Sequence, residues 1–363
     1  MTATPRVSVL MTTHNGARTI RDSIDSVLRQ SFTDFELVVV DDASTDATPT
    51  ILAGIDDPRL RILHPGRNLG VVGARNFGFV ACRAAYVAAH DHDDLSRPER
   101  LAQQVALLDA EPGIVLAATE VELEQNGHLS HSGHAAPGDP LAMRWLLLVD
   151  NPLTWSSIMV RADAVRRLGQ FVRPEYELAD DFDLYHRLLR EGGIARLNAP
   201  LVVYRWHGSN TARANRERLM ANAAKILREA YAPLLGDDAE DAAVLVLRHL
   251  SHRQPATDPA TLHRLGACLE RLLGAFCEAN RLSSPQRGNI AALAGEIWWK
   301  AVRAATRNGR PDLFAVFRHH RALAEAYSPG FRDVAASLAI GTTRRLLPHR
   351  GASPARGVRP TTS

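Results

Sequence analysis

The chain predicts an α/β protein built on a doubly wound, mixed sheet with helices on both faces, followed by a mainly α-helical C-terminal region. Three observations carry this. Short apolar runs recur at Val7–Met11, Phe35–Val40, Arg61–Leu63, Tyr86–Ala89 and Ile114–Ala118, separated by stretches of helical periodicity. Two of those runs end abruptly in acids, at Asp41-Asp42 and at His90-Asp91-His92-Asp93-Asp94, the strand ends where ligands of open α/β sheets collect. From about residue 211 the strand signal stops, and apolar residues fall at helical spacing as far as about 345.

In order, Val7 to Met11 is a buried strand that runs into the polar turn Thr12-Thr13-His14-Asn15-Gly16. Ile20, Ile24, Val27 and Leu28 then share one helical face. With Phe35–Val40 they make a right-handed βαβ unit. Ser44-Thr45-Asp46 offers caps to a helix reaching about Gly54, so Asp42 can face a ligand while the residues after it cap. After the short strand at Arg61–Leu63, Asn68-Leu69-Gly70 opens a helix expected to turn Ala74, Phe77 and Val80 to one side. Arg75 and Asn76 fall in its first turn, where free N–H groups and the helix dipole favour an anion. That makes Arg75 a candidate phosphate contact, a solvated surface arginine being the other reading.

The acidic stretch after Ala89 holds three carboxylates in four residues. They repel one another unless a cation or several N–H groups neutralise them. Asp91 and Asp93 therefore read as a Mg²⁺ or Mn²⁺ site whose remaining positions are filled by phosphates, which makes a nucleotide diphosphate the expected ligand. Ser96, Pro98 and Glu99 match a capping box for the next helix, which accounts for them but leaves Asp91 and Asp93 unexplained. Leu101, Val105 and Leu108 give that helix its apolar face. From about 120 the pattern loosens, until Ser157–Arg161 resumes a strand and Ala162–Leu168 a helix closed by Gly169. Asp180, Asp181 and Asp183 begin a helix through Leu184, Leu188 and Leu189; for Asp180 and Asp183, a partnership with the helix dipole suffices. Leu201–Arg205 is the next strand, ending in Trp206-His207, where His207 could serve a metal.

Composition narrows the classes. The 363 residues, 45% hydrophobic and 23% charged, are those of a globular chain, and a net charge of +3 does not argue for nucleic acid. Cys82, Cys268 and Cys277 have no zinc spacing and are expected to be free thiols in a reducing compartment. No apolar run approaches the roughly eighteen residues of a membrane span, so a cytoplasmic protein is expected. The first strand is not followed by a Gly-x-Gly-x-x-Gly turn, and there is no P-loop run.

With these pieces in order, residues 5 to 210 resemble a family 2 glycosyltransferase of the GT-A fold. The resemblance rests on Val7–Asn15, on Phe35–Asp46, on Asn68-Leu69-Gly70 with Ala74-Arg75-Asn76, on Asp91-His92-Asp93-Asp94 and on Asp180-Asp181-Phe182-Asp183-Leu184. It implies an inverting transfer from a nucleotide-diphosphate sugar, most commonly a UDP-sugar, to a hydroxyl of a glycan or lipid-linked acceptor. Asp42 matches the carboxylate that binds the nucleotide base, with Thr12, His14, Asn15 and Asp41 around the same pocket. Asp91 and Asp93 match the Asp-x-Asp pair on the donor sugar and the Mn²⁺ or Mg²⁺. Asp181 matches the catalytic base, preceded here by Asp180 where the family usually has Glu. His207 resembles a histidine that approaches the metal or diphosphate in many relatives.

The expected organisation is a catalytic domain over 1–210, a helical region over 211–345 that packs on it or pairs protomers, and a basic disordered tail over 346–363. The arginines of that tail, beside Phe331, Val334 and Leu338, suggest a peripheral contact with anionic lipid. No aromatic interleaving supports nucleic-acid binding. A nucleotidyltransferase would show a Gly-rich basic loop, and Thr12–Ala17 has one glycine and no lysine. A non-catalytic nucleotide-sugar scaffold is the remaining alternative, against which stand the intact Asp42, Asp91, Asp93 and Asp181.

Overall fold

The computed structural model describes residues 4–131, 138–206 and 215–346. In chain order it forms β1 (Val7–Thr13), α1 (Ile20–Leu28), β2 (Phe35–Asp41), α2 (Thr48–Ala53), β3 (Leu60–Leu63), α3 (Gly70–Ala81), β4 (Tyr86–Asp91) and β5 (Leu95–Ser96). There follow α4 (Arg100–Ala110), β6 (Ile114–Gln125), β7 (His128–His131), α5 (Pro140–Leu146), β8 (Met159–Arg161), α6 (Ala162–Arg167), α7 (Asp180–Leu188), β9 (Gly193–Arg205) and α8 (Arg216–Leu235). The described strands form one mixed sheet in the order β3-β2-β1-β4-β8-β6-β9-β5, with β7 folded back on β6. β1 to β4 are parallel, β8 is antiparallel to β4 and β6, and β6 and β9 run parallel.

Period-two alternation sorts each strand onto two layers. Val7, Val9 and Met11 of β1, with Phe35, Leu37 and Val39 of β2, face α1 and α4 through Ile20, Ile24, Val27, Leu101, Val105 and Leu108. Leu10 and Val40 point the other way, under α3. There Gly78 lets the helix touch the sheet, since a Cβ would lie 2.4 Å from Leu10 Cδ1 and 2.7 Å from Val40 Cγ2.

That approach overturns the expected face of α3. Phe77 and Val80 are 41% and 85% exposed, while Val72, Ala74, Arg75, Gly78 and Phe79 are buried. The capping box is also absent. Ser96 is drawn into β5, which pairs with β9, and Glu99 makes no side-chain cap at the start of α4. Gln30 serves instead: its Oε1 accepts from Leu101 N at 2.9 Å and its Nε2 donates to Arg97 O at 2.6 Å. At α2 the N-cap is Ala47, and Asp46 Oδ1 accepts from Thr48 N at 2.9 Å.

The chain divides into two compact units, Met1–Pro233 and Leu234–Ser363, whereas the expected boundary stood at 210. Helix α8 explains the difference. Within the first unit Asn222 Nδ2 donates to Glu177 O at 2.9 Å, Arg218 pairs with Glu177 at 2.7 Å, and the Tyr231 hydroxyl donates to Leu148 O.

The second unit is helical, as expected: α9 (Ala239–Val246), α10 (Pro259–Ala279), α11 (Ser284–Arg307), a 3₁₀ stretch at Pro311–His319, α12 (Arg321–Ala324) and α13 (Phe331–Leu346). Its interior holds Leu262, Leu265, Leu269, Leu272, Phe276, Trp298, Trp299 and Val302. Asp333 ties α13 to α11, accepting from Trp299 Nε1 at 2.8 Å and Arg307 Nη2 at 2.7 Å. All three cysteines are free, and burial pushes the Cys82 thiol up to about 12. Among the described residues no helix is long and apolar enough to cross a membrane. The tail expected to be disordered lies, apart from Leu346, outside the described residues.

Candidate active site

Parallel register brings the ends of β1, β2 and β4 to one level, with Thr13 beside Asp41 and Thr12 beside Asp91. The turns that follow are stitched together. His14 Nδ1 lies 2.8 Å from Asp42 O, and Asn15 Oδ1 accepts from Thr45 N at 2.8 Å. Asn15 and Ala43 reach this arrangement at φ 55° and 59°, a left-handed conformation uncommon away from glycine. Asp41 and Asp42 are both buried. Asp42 Oδ1 accepts from Leu69 N at 2.7 Å, and Asn68 Nδ2 donates to Asp42 O at 3.1 Å. Asp41 Oδ1 accepts from Ser44 N at 3.1 Å. His14, Asn15, Asp41 and Asp42 thus form one cluster, joined by Asn68, and Thr12 stands at the end of β1 beside Asp91.

The acidic loop lies beside it. Asp91 N donates to Ser156 Oγ at 3.0 Å, and Asp91 O accepts from Ser23 Oγ at 3.1 Å. Asp94, fully buried, accepts on Oδ1 from Arg205 N at 3.1 Å, and Arg205 Nε donates to Asp93 O. The end of β9 therefore clamps the loop. Beneath it, buried His90 sits 3.2 Å from Arg100 Nη1, and desolvation with that neighbouring cation drives its pKa well down. His90 belongs to the core.

Oxygens of Asp91, Asp93 and Asp94 all come within 4.8 Å of one another. Burial raises the Asp91 carboxyl, with Arg75 opposing and Asp93 adding to the shift. Asp94 is raised further, by burial and by both of the other acids. An all-oxygen cluster of three carboxylates, two of them pushed up by burial and by one another, fits a hard divalent cation.

Helix α7 completes the site. Arg75 lies in the second turn of α3, one turn further in than expected, and is buried. Its Nη1 donates to Asp180 Oδ2 at 2.6 Å, its Nη2 lies 3.4 Å from Asp91 Oδ1, and its guanidinium sits 3.8 Å from the centroid of the Trp155 ring. One cation thereby joins the acidic loop to the start of α7. Next to Asp180, Asp181 keeps some solvent exposure. Its Oδ1 accepts from Phe182 N at 2.7 Å and its Oδ2 from Asn151 Nδ2 at 3.2 Å. Burial and then Asp180, only partly offset by Arg75, push the Asp181 carboxyl up to about 6. Asp183 is structural, paired with Arg173 and, at 2.8 Å, with Arg187.

Asn76 turns away from this assembly, its side chain donating to Val172 O at 2.7 Å and accepting from Val172 N at 3.1 Å. His207 lies outside the described residues. Asn68, Asn151, Trp155, Ser156 and Arg205 hold the site yet were not singled out from the sequence. Asn68 and Arg205 stood inside quoted motifs, whereas residues 151–156 carry no periodic or motif signal.

A mixed sheet of this strand order, with paired acids on the loop after β4 and a further carboxylate at the start of α7, defines a GT-A glycosyltransferase architecture. The Glycosyl transferase family 2 model matches residues 8–169. EpsE of Bacillus subtilis (strain 168), assigned as a glycosyltransferase, is 32% identical over 201 residues, 53% of this chain and 69% of EpsE. The chain belongs to glycosyltransferase family 2. Among solved structures, S. aureus TarS 1-349 in complex with UDP-GlcNAc aligns with a TM-score of 0.53 at 17% identity, over 94% of this chain and 92% of TarS 1-349. The mannosyltransferase PcManGT from Pyrobaculum calidifontis, in complex with GDP-Man and Mn²⁺, aligns with a TM-score of 0.50 at 18% identity, over 95% and 88%. At these identities the likeness is one of fold.

Proposed function

We propose that the chain transfers a sugar from a UDP-sugar to a hydroxyl of a glycan or lipid-linked saccharide in one in-line displacement that inverts the anomeric carbon. The observation that supports this most is the Arg75 bridge, which gathers Asp91 and the Asp180-Asp181 pair about one guanidinium. In this reading Asp42 and the Thr12–Asn15 turn receive the nucleotide, and Asp91 faces the donor sugar. Asp181 takes the proton from the acceptor hydroxyl as that oxygen attacks, then releases it to solvent. Asp91 and Asp93, with Asp94 beside them, would hold Mn²⁺ or Mg²⁺, which neutralises charge developing on a leaving diphosphate. UDP as the donor nucleotide draws on the TarS complex, and the metal on the PcManGT complex.

The stereochemistry of the product tests the mechanism. With an α-linked UDP-sugar as donor, NMR of the purified product is expected to show a β-linkage. Retention of the donor's anomeric configuration would require a nucleophile where Asp181 is assigned as base, and would overturn it.

A further inference from the structure

A cavity of about 220 Å³ is lined by Thr119, Glu120, Val121 and Leu123 on β6, by Asn151–Thr154, and by Arg196, Tyr204 and Trp206 at β9, and its wall residue Asn151 donates to Asp181 Oδ2. It coincides with a break in the sheet. Thr119 pairs with Leu197, Glu120 with Pro200 and Val121 with Val202, so β9 carries extra residues and the ladder is interrupted at Glu120. Such bulges re-aim side chains beside active sites.

We infer that this cavity is the acceptor subsite and that it takes a single pyranose ring stacked on Trp206. The inference rests on the transferase reading above and adds where the acceptor sits and what part of it is recognised. Three features support it.

The first is size: 220 Å³ falls below the roughly 300–1,000 Å³ of sites for drug-sized ligands and suits one sugar ring, not a nucleotide.

The second is chemistry. Trp206, 45% exposed, stands against Tyr204 with ring centroids 6.5 Å apart, which gives an apolar face to the C–H side of a pyranose. Opposite character comes from Glu120, paired with Arg196 at 3.1 Å, and from Asn151 and Thr154. Together they offer both acceptors and donors to neighbouring ring hydroxyls.

The third is continuity with the base. Asn151 lines the cavity and also donates to Asp181 Oδ2, so a ring seated there has its rim hydroxyls one side chain away from the carboxylate assigned to deprotonate one of them. A glycan and a lipid-linked saccharide present this same ring.

The arrangement of the tryptophans allows a direct test. Trp145, Trp298 and Trp299 are at most 1% exposed and Trp155 is 6% exposed, so acrylamide-quenchable emission comes from Trp206. Methyl glycosides of glucose, galactose, mannose and N-acetylglucosamine are titrated against the full chain, with sorbitol as the open-chain control. At least one glycoside is expected to reduce quenching several-fold, sorbitol is not, and Glu120→Gln is expected to weaken the protection. In transfer assays with that glycoside, Trp206→Ala should raise the acceptor KM about tenfold, while the melting shift produced by UDP with Mn²⁺ stays at its wild-type size. Comparing methyl with octyl glycosides separates a lipid-linked ring, which gains affinity with the chain, from a free glycan, which does not. Protection by no glycoside, equal protection by sorbitol, or an unchanged KM in Trp206→Ala would overturn the subsite. Protection by a glycoside together with no melting response to any nucleotide would support the sugar subsite and remove the transferase reading on its own.

Discussion

Asp181→Asn is expected to lower kcat about 10²–10⁴-fold, the range removed with a positioned general base, while the melting response to UDP stays intact. The substitution is nearly isosteric. Its amide oxygen can still accept from Phe182 N, and Asn151 can turn its own oxygen to the new NH2 by giving up the 3.3 Å bond from Leu153 N, so the fold around α7 should hold. What it loses is the capacity to take a proton. The pH dependence has a definite sign. Because the Asp181 carboxyl titrates at about 6, activity should rise with pH through about 6 and level off above it, tracking the deprotonated fraction. A steady-state kcat profile of the wild type, beside single-turnover rates of the variant, checks both statements. An acid limb that persists unchanged in Asp181→Asn would assign the base elsewhere.

Arg75→Ala is expected to cost about 3–5 kcal/mol of folding stability, the penalty for stranding a buried partner of an ion pair. Asp180 is 4% exposed and has its carboxylate 2.6 Å from Arg75 Nη1, so removal of the guanidinium leaves a buried anion between Asp91 and Asp181. The stacking on Trp155 is lost as well. Arg75→Lys should recover only part of the stability, because an ammonium cannot reach Asp180 and Asp91 with a planar fork while lying over the ring. The double change Arg75→Met with Asp180→Leu should regain much of it. Urea unfolding measures all three. A loss in Arg75→Ala of less than about 1 kcal/mol, the range of exposed pairs, would contradict a bridging role.

Much of the α/β layout was legible because it is local. Val7–Met11, Phe35–Val40 and Tyr86–Ala89 are short runs bounded by polar turns, and such runs become central strands. The acidic loop was legible because like charges at close spacing need an external explanation. What failed was non-local. Helix α3 is apolar on several faces, so its periodicity could not say whether Phe77 or Phe79 goes inside; Gly78, touching Leu10 and Val40, decides it. Ser96 looked like a helix cap because only its sequence neighbours were visible, and the edge of β9 claimed it for a strand. The partner of Arg75 lies 105 residues away in Asp180, beyond any window of spacing. Asp180 itself, explained from sequence as a dipole partner, is the anchor of that cation.

The acidic loop is expected to bind a nucleotide through a metal. Melting temperature measured with UDP, GDP and dTDP, each with and without Mn²⁺, tests this directly, since a ligand at about 100 times its Kd stabilises the native state by about 2.7 kcal/mol. The expected result is a rise for UDP that requires Mn²⁺ and disappears in Asp93→Ala. No rise with any nucleotide, or a rise that Asp93→Ala leaves unchanged, would contradict it.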